Sequence, residues 1–155
     1  MVLIFKALHI LSMFTMVAVG VGGYSVYALA VRRRDIHALA AIHRTLARGR
    51  LVANVSALAL LAGVVFGLLT ALTAGFDFLA GWLINAYVLV AAFAIYADWF
   101  GRRLARLGDA AVDTEDGRRP SDEVMREVAA SRAVREFAIA AAFLVAIIAD
   151  MVLKL

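Results

Sequence analysis

Four long apolar stretches constrain this chain more than any other feature. They run at about Val2–Val31, Leu51–Ala74, Leu79–Phe100 and Ala133–Leu153. A helix needs roughly 20 apolar residues to cross the hydrocarbon core of a bilayer, and each stretch is long enough. Hydrophobic residues make up 65% of the chain, whereas water-soluble domains usually contain roughly 45–50%. The sequence therefore predicts an all-α membrane protein.

The connections between the stretches predict a single domain, an antiparallel bundle of four transmembrane helices over residues 1–155. The turn at residues 75–78 is short, so the second and third helices should run antiparallel. The first connection, residues 32–50, has an amphipathic pattern that predicts a helix at the membrane interface. The third connection, about residues 101–132, contains an acidic middle section, 108–120, that we expect to be a mobile loop. From Ser121 a helix should continue unbroken to Leu153.

Arginine residues are concentrated in the first and third connections, which predicts the orientation of the bundle. They are Arg32, Arg33, Arg34, Arg44, Arg48, Arg50, Arg102, Arg103 and Arg106. Arginines that flank apolar helices mark the cytoplasmic side, so both termini should lie on the outer face. Because membrane orientation accounts for the arginine clusters, we expect no nucleic-acid partner. The expected partner is the lipid bilayer. The absence of cysteine excludes disulfides and thiolate-ligated clusters.

A ladder of small residues in the second stretch predicts close helix packing. Ala59, Gly63, Gly67 and Ala71 recur at every fourth position, and such ladders let two helix backbones approach closely in lipid. The ladder would serve either assembly of the bundle or a contact with another copy or a membrane partner through Gly63 and Gly67. The second use gives an alternative function, a non-enzymatic accessory subunit that binds a partner protein or anionic lipid.

Three polar residues inside the stretches are candidate site residues. His9, Asn85 and Asp150 all fall towards the outer end of the predicted bundle, and polar or ionisable residues within a span are candidates for a functional site. An imidazole held by a carboxylate is the usual arrangement of a metal-ligating histidine. His9 is therefore the candidate metal ligand, with Asn85 and Asp150 as further cofactor-binding residues. A structural polar pair and a proton-transfer pair remain alternatives, and no residue is identified as catalytic.

Several short motifs resemble those of known membrane families. They are Phe5–Ile10, Val65–Leu68, Gly81–Leu83, Tyr96–Arg103, Arg135-Glu136 and Val152–Lys154. Together they resemble the HemJ-type protoporphyrinogen oxidases and are similar to CopD-type copper-resistance proteins. They are most similar to a family of uncharacterised four-helix predicted integral membrane proteins. The HemJ resemblance implies haem b bound by His9, a bacterial inner membrane location and, if the protein is an enzyme, a haem-linked oxidoreductase activity.

Two residues expected from the HemJ resemblance are missing. That family has a lysine a few residues after the tryptophan of the third helix, where this chain reads Ile84-Asn85-Ala86-Tyr87. It also has a second histidine near the end of the first helix, where this chain has Tyr27-Ala28-Leu29-Ala30. The resemblance therefore implies a haem site without implying oxidation of protoporphyrinogen.

Overall fold

The computed structural model of the protein describes residues 1–47 and 51–153. The helices are α1 Val2–Arg33, α2 Ile36–Ile42, a π-helical turn His43–Ala47, α3 Leu51–Ala74, α4 Gly81–Glu115, α5 Ser121–Ala130 and α6 Ala133–Leu153. Helices α1, α3, α4 and α6 are long and apolar enough to cross a membrane. The prediction of an all-α protein with four membrane-spanning helices is confirmed. Arg48, Arg50 and Lys154, which the sequence analysis also used, lie outside the described residues.

Local capping explains how the chain passes from α1 into α2. Arg34 adopts the left-handed conformation (φ 55°, ψ 36°), and its backbone N–H donates to the carbonyls of Ala30 and Val31. Asp35 then caps α2, because its side chain accepts a hydrogen bond from the Ala38 backbone N–H at 2.8 Å. Arg34 therefore ends the spanning helix α1, and Asp35 begins α2 beside the arginine-rich end of the bundle.

The four spanning helices pack around a shared apolar core. Helix α1 packs along α3 on one side and along α6 on the other, and α6 packs along α4. The buried members of this core are Met16, Ala59, Phe93, Leu144 and Ile147. Since every spanning helix contributes at least one of them, the core holds the four helices in one bundle. The turn between α3 and α4 and both described chain ends lie opposite the arginine-rich end.

Helix α4 extends well beyond the predicted end of the third span at Phe100. It continues to Glu115, so the prediction of a mobile loop is wrong for residues 108–115. Leu104, Gly108 and Ala111 are buried on one face of this extension, while the acidic residues that favoured a loop lie largely on the other. The turn is confined to residues 116–120, where Gly117 has a φ of 72°.

A second core lies at the arginine-rich end and joins the two connections. Its buried residues come from the ends of α1 and α4, from α2 and α5, and from the start of α6. They are Tyr27, Ala30, Val31, Ile36, Leu39, Ala40, Phe100, Leu104, Ala110, Ala111, Val112, Val124, Val128 and Ala133. The two connections therefore pack on each other as a helical cap on the bundle.

The predicted unbroken helix from Ser121 to Leu153 is interrupted. Ser131 is extended (φ −68°, ψ 139°) and ends α5, and its hydroxyl accepts the Ala133 backbone N–H at 3.2 Å. The break separates α5 from α6, and α5 buries Val124 and Val128 in the second core. The expectation of one continuous helix is therefore wrong at Ser131 and Arg132.

We expect Leu104→Ala to destabilise the protein by about 2–5 kcal/mol, because Leu104 is 2% exposed in the second core and its truncation leaves a cavity. Thermal unfolding of the purified protein in detergent measures the change. Leu79→Ala is the matched control, since Leu79 is 78% exposed and should leave the transition unchanged. Equal shifts for both variants would mean that the helical cap is not a packed core.

Candidate functional site

Buried polar groups mark both ends of the bundle. Among the described residues the buried polar or charged side chains are His43, Glu136 and Asp150, and His9 is half-buried. A buried polar group is costly unless it is hydrogen-bonded. The hydrogen-bond partners of these groups therefore identify the candidate sites.

The His9 imidazole is held by the backbone of α3. Its Nδ1 lies 2.7 Å from the Gly63 carbonyl oxygen. A carbonyl oxygen can only accept a hydrogen bond, so Nδ1 must carry the proton. In the neutral ring this leaves Nε2 with an unprotonated lone pair. The geometry therefore selects one tautomer and one ring orientation for His9.

Two glycines of the predicted ladder make room for this end of α1. A Cβ atom at Gly67 would lie 3.0 Å from His9 Nδ1, and a Cβ atom at Gly63 would lie 2.5 Å from the sulfur of Met13. The missing side chains thus let the two helices approach closely. Of the two uses predicted for the ladder, the structure shows assembly of the bundle within one chain.

Asn85 and Asp150 form a separate pair at the same end. The Asn85 amide donates to Asp150 Oδ1 at 3.1 Å, and Asp150 is only 3% exposed. Its second oxygen, Oδ2, is buried without a hydrogen-bond partner among residues 1–47 and 51–153. The structure brings these two predicted site residues together, whereas Nδ1 of His9 bonds to a backbone carbonyl and not to a carboxylate. No group of three or more potential metal ligands occurs in the described part of the chain.

A three-residue network at the arginine-rich end was not predicted. The Tyr27 hydroxyl lies 2.9 Å from His43 Nδ1, and His43 Nε2 lies 2.8 Å from Asp109 Oδ1. Because a carboxylate only accepts, His43 Nε2 donates to it, and in the neutral ring Nδ1 accepts from the Tyr27 hydroxyl. The His43 side chain is 5% exposed and that of Asp109 is 68% exposed. The network therefore links a buried phenol to a carboxylate in solvent.

The sequence did contain a signal for this network. His43 follows Ile36, Leu39 and Ala40 at helical spacing, so it shares the apolar face of the first connection. A histidine on such a face becomes buried when the face packs, and α4 provides that packing. His43 also begins the π-helical turn, and π-helical turns are frequent at functional sites.

A partly buried ion pair joins α4 and α6 close to this network. Arg103 lies 2.5 Å from Glu136 Oε1, and the Tyr96 hydroxyl donates to the Glu136 backbone carbonyl at 3.1 Å. The Arg103 guanidinium also lies 5.7 Å from the centre of the Trp99 ring. Tyr96 and Trp99, near the end of the third predicted span, therefore contact an ion pair that joins α4 to the neighbouring helix.

These features together define a multi-pass helical membrane protein with buried polar groups at both ends of its bundle. The chain belongs to the family described as Predicted integral membrane protein (DUF2269), whose model matches residues 3–155. Comparison with curated proteins and with solved structures gives no match. The predicted membership of an integral membrane protein family is confirmed, and the relation to HemJ-type and CopD-type proteins stays a prediction.

We expect Gly108→Ala to destabilise the protein by about 1–3 kcal/mol, a cost typical of inserting an extra methyl into a packed site. A Cβ atom there would lie 2.2 Å from His43 Nδ1, so the ring would have to leave Tyr27 and Asp109. Thermal unfolding in detergent measures the change.

Gly22→Ala is the control for this substitution. Nothing lies within 4 Å of a Cβ atom at Gly22, so the intrinsic helix preference for alanine should stabilise α1 by about 0.5–1 kcal/mol. The two variants should therefore shift the unfolding temperature in opposite directions. A stabilised Gly108→Ala variant would show that the His43 ring does not occupy the position described.

Proposed function

We propose that this protein binds haem b through His9 Nε2 and has a redox or haem-linked role in the membrane. The observation that carries the proposal is the hydrogen bond of 2.7 Å from His9 Nδ1 to the Gly63 carbonyl. Histidines that ligate metals almost always donate their other ring N–H to a carboxylate, carbonyl or water. His9 has this arrangement in a predominantly apolar helix.

The surroundings of His9 fit such a ligand. The His9 ring occupies the space that a Gly67 side chain would fill, so α3 holds the imidazole through Nδ1, and Nε2 has no hydrogen-bond partner among residues 1–47 and 51–153. The local likeness of Phe5–Ile10 to HemJ-type proteins, in which the corresponding histidine binds haem, supports the same assignment. Asn85 would line the site, and Asp150 would hold the Asn85 amide in place.

The residues of this chain would have defined tasks in that role. Haem supplies one-electron redox chemistry when it is bound. His9 would provide axial ligation, and the Gly63 carbonyl would fix the tautomer and raise the basicity of Nε2. The apolar side chains of α1 and α3 would exclude water, and a drier site changes the redox potential of a bound cofactor. The concentration of arginine at the opposite end supports an orientation in a bacterial inner membrane with both termini on the outer face.

After haem is added and unbound haem is removed by gel filtration, we expect the protein in detergent to retain a Soret band, and His9→Ala to lose it because the axial ligand is removed. Absorbance spectroscopy of the oxidised and reduced forms measures both. His37→Ala is the matched control, since His37 lies at the other end of the bundle and bonds to Glu115 at 2.8 Å. That variant should retain the spectrum.

Gly67→Ala offers a second, milder perturbation of the same site. Its Cβ atom would press on the His9 ring, so the Soret maximum or the midpoint potential should move while haem remains bound. A wild-type protein that retains no Soret band once unbound haem has been removed would refute the proposal, and so would an unchanged spectrum in the His9→Ala variant.

A further inference from the structure

Two carboxyl side chains of α6 are buried inside the protein, and they differ in how a charge on them would be balanced. Glu136 is 5% exposed and Asp150 is 3% exposed. In each, one oxygen is hydrogen-bonded, while the other, Oε2 or Oδ2, is buried without a partner among residues 1–47 and 51–153. Glu136 lies 2.5 Å from the Arg103 guanidinium, whereas Asp150 accepts only the neutral Asn85 amide, at 3.1 Å. Glu136 therefore has a counter-charge, and Asp150 has none among these residues.

The helices that pack on α6 do not supply a cation to Asp150 within the described part of the chain. These helices are α1 and α4. On the same half of α1, Lys6 and the chain's amino terminus are exposed, and His9 Nδ1 bonds to a backbone carbonyl. The titratable residue on that half of α4 is Tyr87, which is 38% exposed. Asn85 is therefore the one neighbour that addresses the Asp150 carboxyl from these two helices.

The position of Asp150 disfavours an ionised carboxylate. The residue lies in a helix that is long and apolar enough to cross a membrane. An isolated charge away from water is far more costly than a neutral polar group, and a buried carboxyl without a cation takes up a proton instead. Oδ2 is closed to water by the atoms around it. A metal ion or an ammonium group would need room beside this oxygen, whereas a proton needs none.

We propose that Asp150 is a proton-binding site within the span, carrying one proton on Oδ2 at neutral pH and exchanging it with water. In the neutral acid, Oδ1 is the carbonyl oxygen and accepts the Asn85 amide. An O–H bond forms on Oδ2 when a proton arrives and breaks when it leaves, and no other bond changes. This proton-binding role goes beyond the proposed haem site, because it requires neither haem nor His9.

A short route joins Asp150 to the end of the bundle opposite the arginine-rich end. Asp150 lies three residues before Leu153, the last described residue, which is about 4.5 Å along a helix axis. Glu136, in the first turn of α6, lies fourteen residues before Asp150, or about 21 Å. Since the hydrocarbon core is roughly 30 Å thick, the two carboxyls lie near opposite membrane surfaces. The proton on Asp150 therefore has its nearest water at the end of α6.

Infrared spectroscopy of the purified full-length protein in lipid vesicles, without haem, measures the protonation state directly. The carbonyl stretch of a neutral carboxylic acid is resolved from the stretches of a carboxylate. The chain has 12 Asp and Glu residues, and we expect one neutral-acid carbonyl per chain at about pH 7. An aspartate in water is only about one-thousandth protonated at that pH. Carbon-13 in the side-chain carboxyl of aspartate should shift the band, and the same label in glutamate should not.

Four variants test the assignment to Asp150. Asp150→Asn keeps the side-chain shape and should abolish the band, while Glu136→Gln, the matched control, removes the other buried carboxyl of α6 and should leave it. Asn85→Leu should keep the band and raise its frequency, because the hydrogen bond to Oδ1 is lost. Lys154, outside the described residues, is the one cation within four sequence positions of Asp150, and Lys154→Gln should leave the band unchanged.

Transfer of the same vesicles into D₂O tests proton exchange. Replacement of O–H by O–D lowers the carbonyl frequency of a carboxylic acid, so we expect the whole band to shift. A band that stays unshifted would mean a permanently enclosed proton and would overturn the exchange. The wild-type protein suffices for this measurement and for the isotope labels, so neither depends on the folding of a variant.

The remaining outcomes are equally decisive. The proposal is overturned if the wild type shows only carboxylate stretches, if the band follows the glutamate label, or if it survives Asp150→Asn. A band that appears only in Lys154→Gln would reveal an ion pair at Asp150 and would also overturn it. Unfolding temperatures recorded alongside show that the variants are folded. Because these samples contain no haem, the proton site and the haem site can fail independently.

Discussion

The close contact between α1 and α3 is the interaction on which the rest of the bundle depends. In a bilayer the lipid tails are as apolar as the helices, so helices associate mainly through close packing and hydrogen bonds. Glycines supply that packing on both helices. Gly20 and Gly23 of α1 lie against Ser56 and Val52 of α3, and the Gly63 and Gly67 backbone receives Met13 and His9 of α1. With α3 held on this side, the opposite side of α1 is free to pack on α6.

Polar contacts then fix the relative positions of helices that are distant in the sequence. His9 joins α1 to α3, Asn85 joins α4 to α6, and Arg103 does the same near the other end through Glu136. His43 connects the first connection to both α1 and α4. These contacts give hydrogen-bond partners to the buried side chains of His43, Glu136 and Asp150, and an unpaired polar group is costly in a low-dielectric interior. A slip of any helix by one turn would break at least one of these contacts.

The spanning helices were predictable from the sequence because length and apolar composition alone decide whether a helix crosses a bilayer. The extension of α4 was not predicted. Its acidic residues favoured a loop, although Leu104, Gly108 and Ala111 are spaced so that they lie on one helical face. The position of His9 at the end of the bundle was also predictable. The hydrogen-bond partner of His9, the Gly63 carbonyl, was not predictable. Every residue has a backbone carbonyl, and no sequence pattern identifies which one accepts a hydrogen bond.

The two ends of the molecule carry different chemistry, and α1 is common to both. His9 and Tyr27 lie on this helix, eighteen residues apart, which corresponds to about 27 Å along the axis. Solvent-exposed charges of the helical cap are screened within roughly 8 Å in physiological salt, and Coulomb interactions weaken with distance, so these charges would have little direct effect on an imidazole so far away. Coupling between His9 and Tyr27 would instead have to pass through movement of a spanning helix such as α1. The glycine contacts with α3 oppose such movement, because sliding would drive Met13 and His9 into the backbone of α3. The packing that assembles the bundle therefore also keeps its two ends chemically separate.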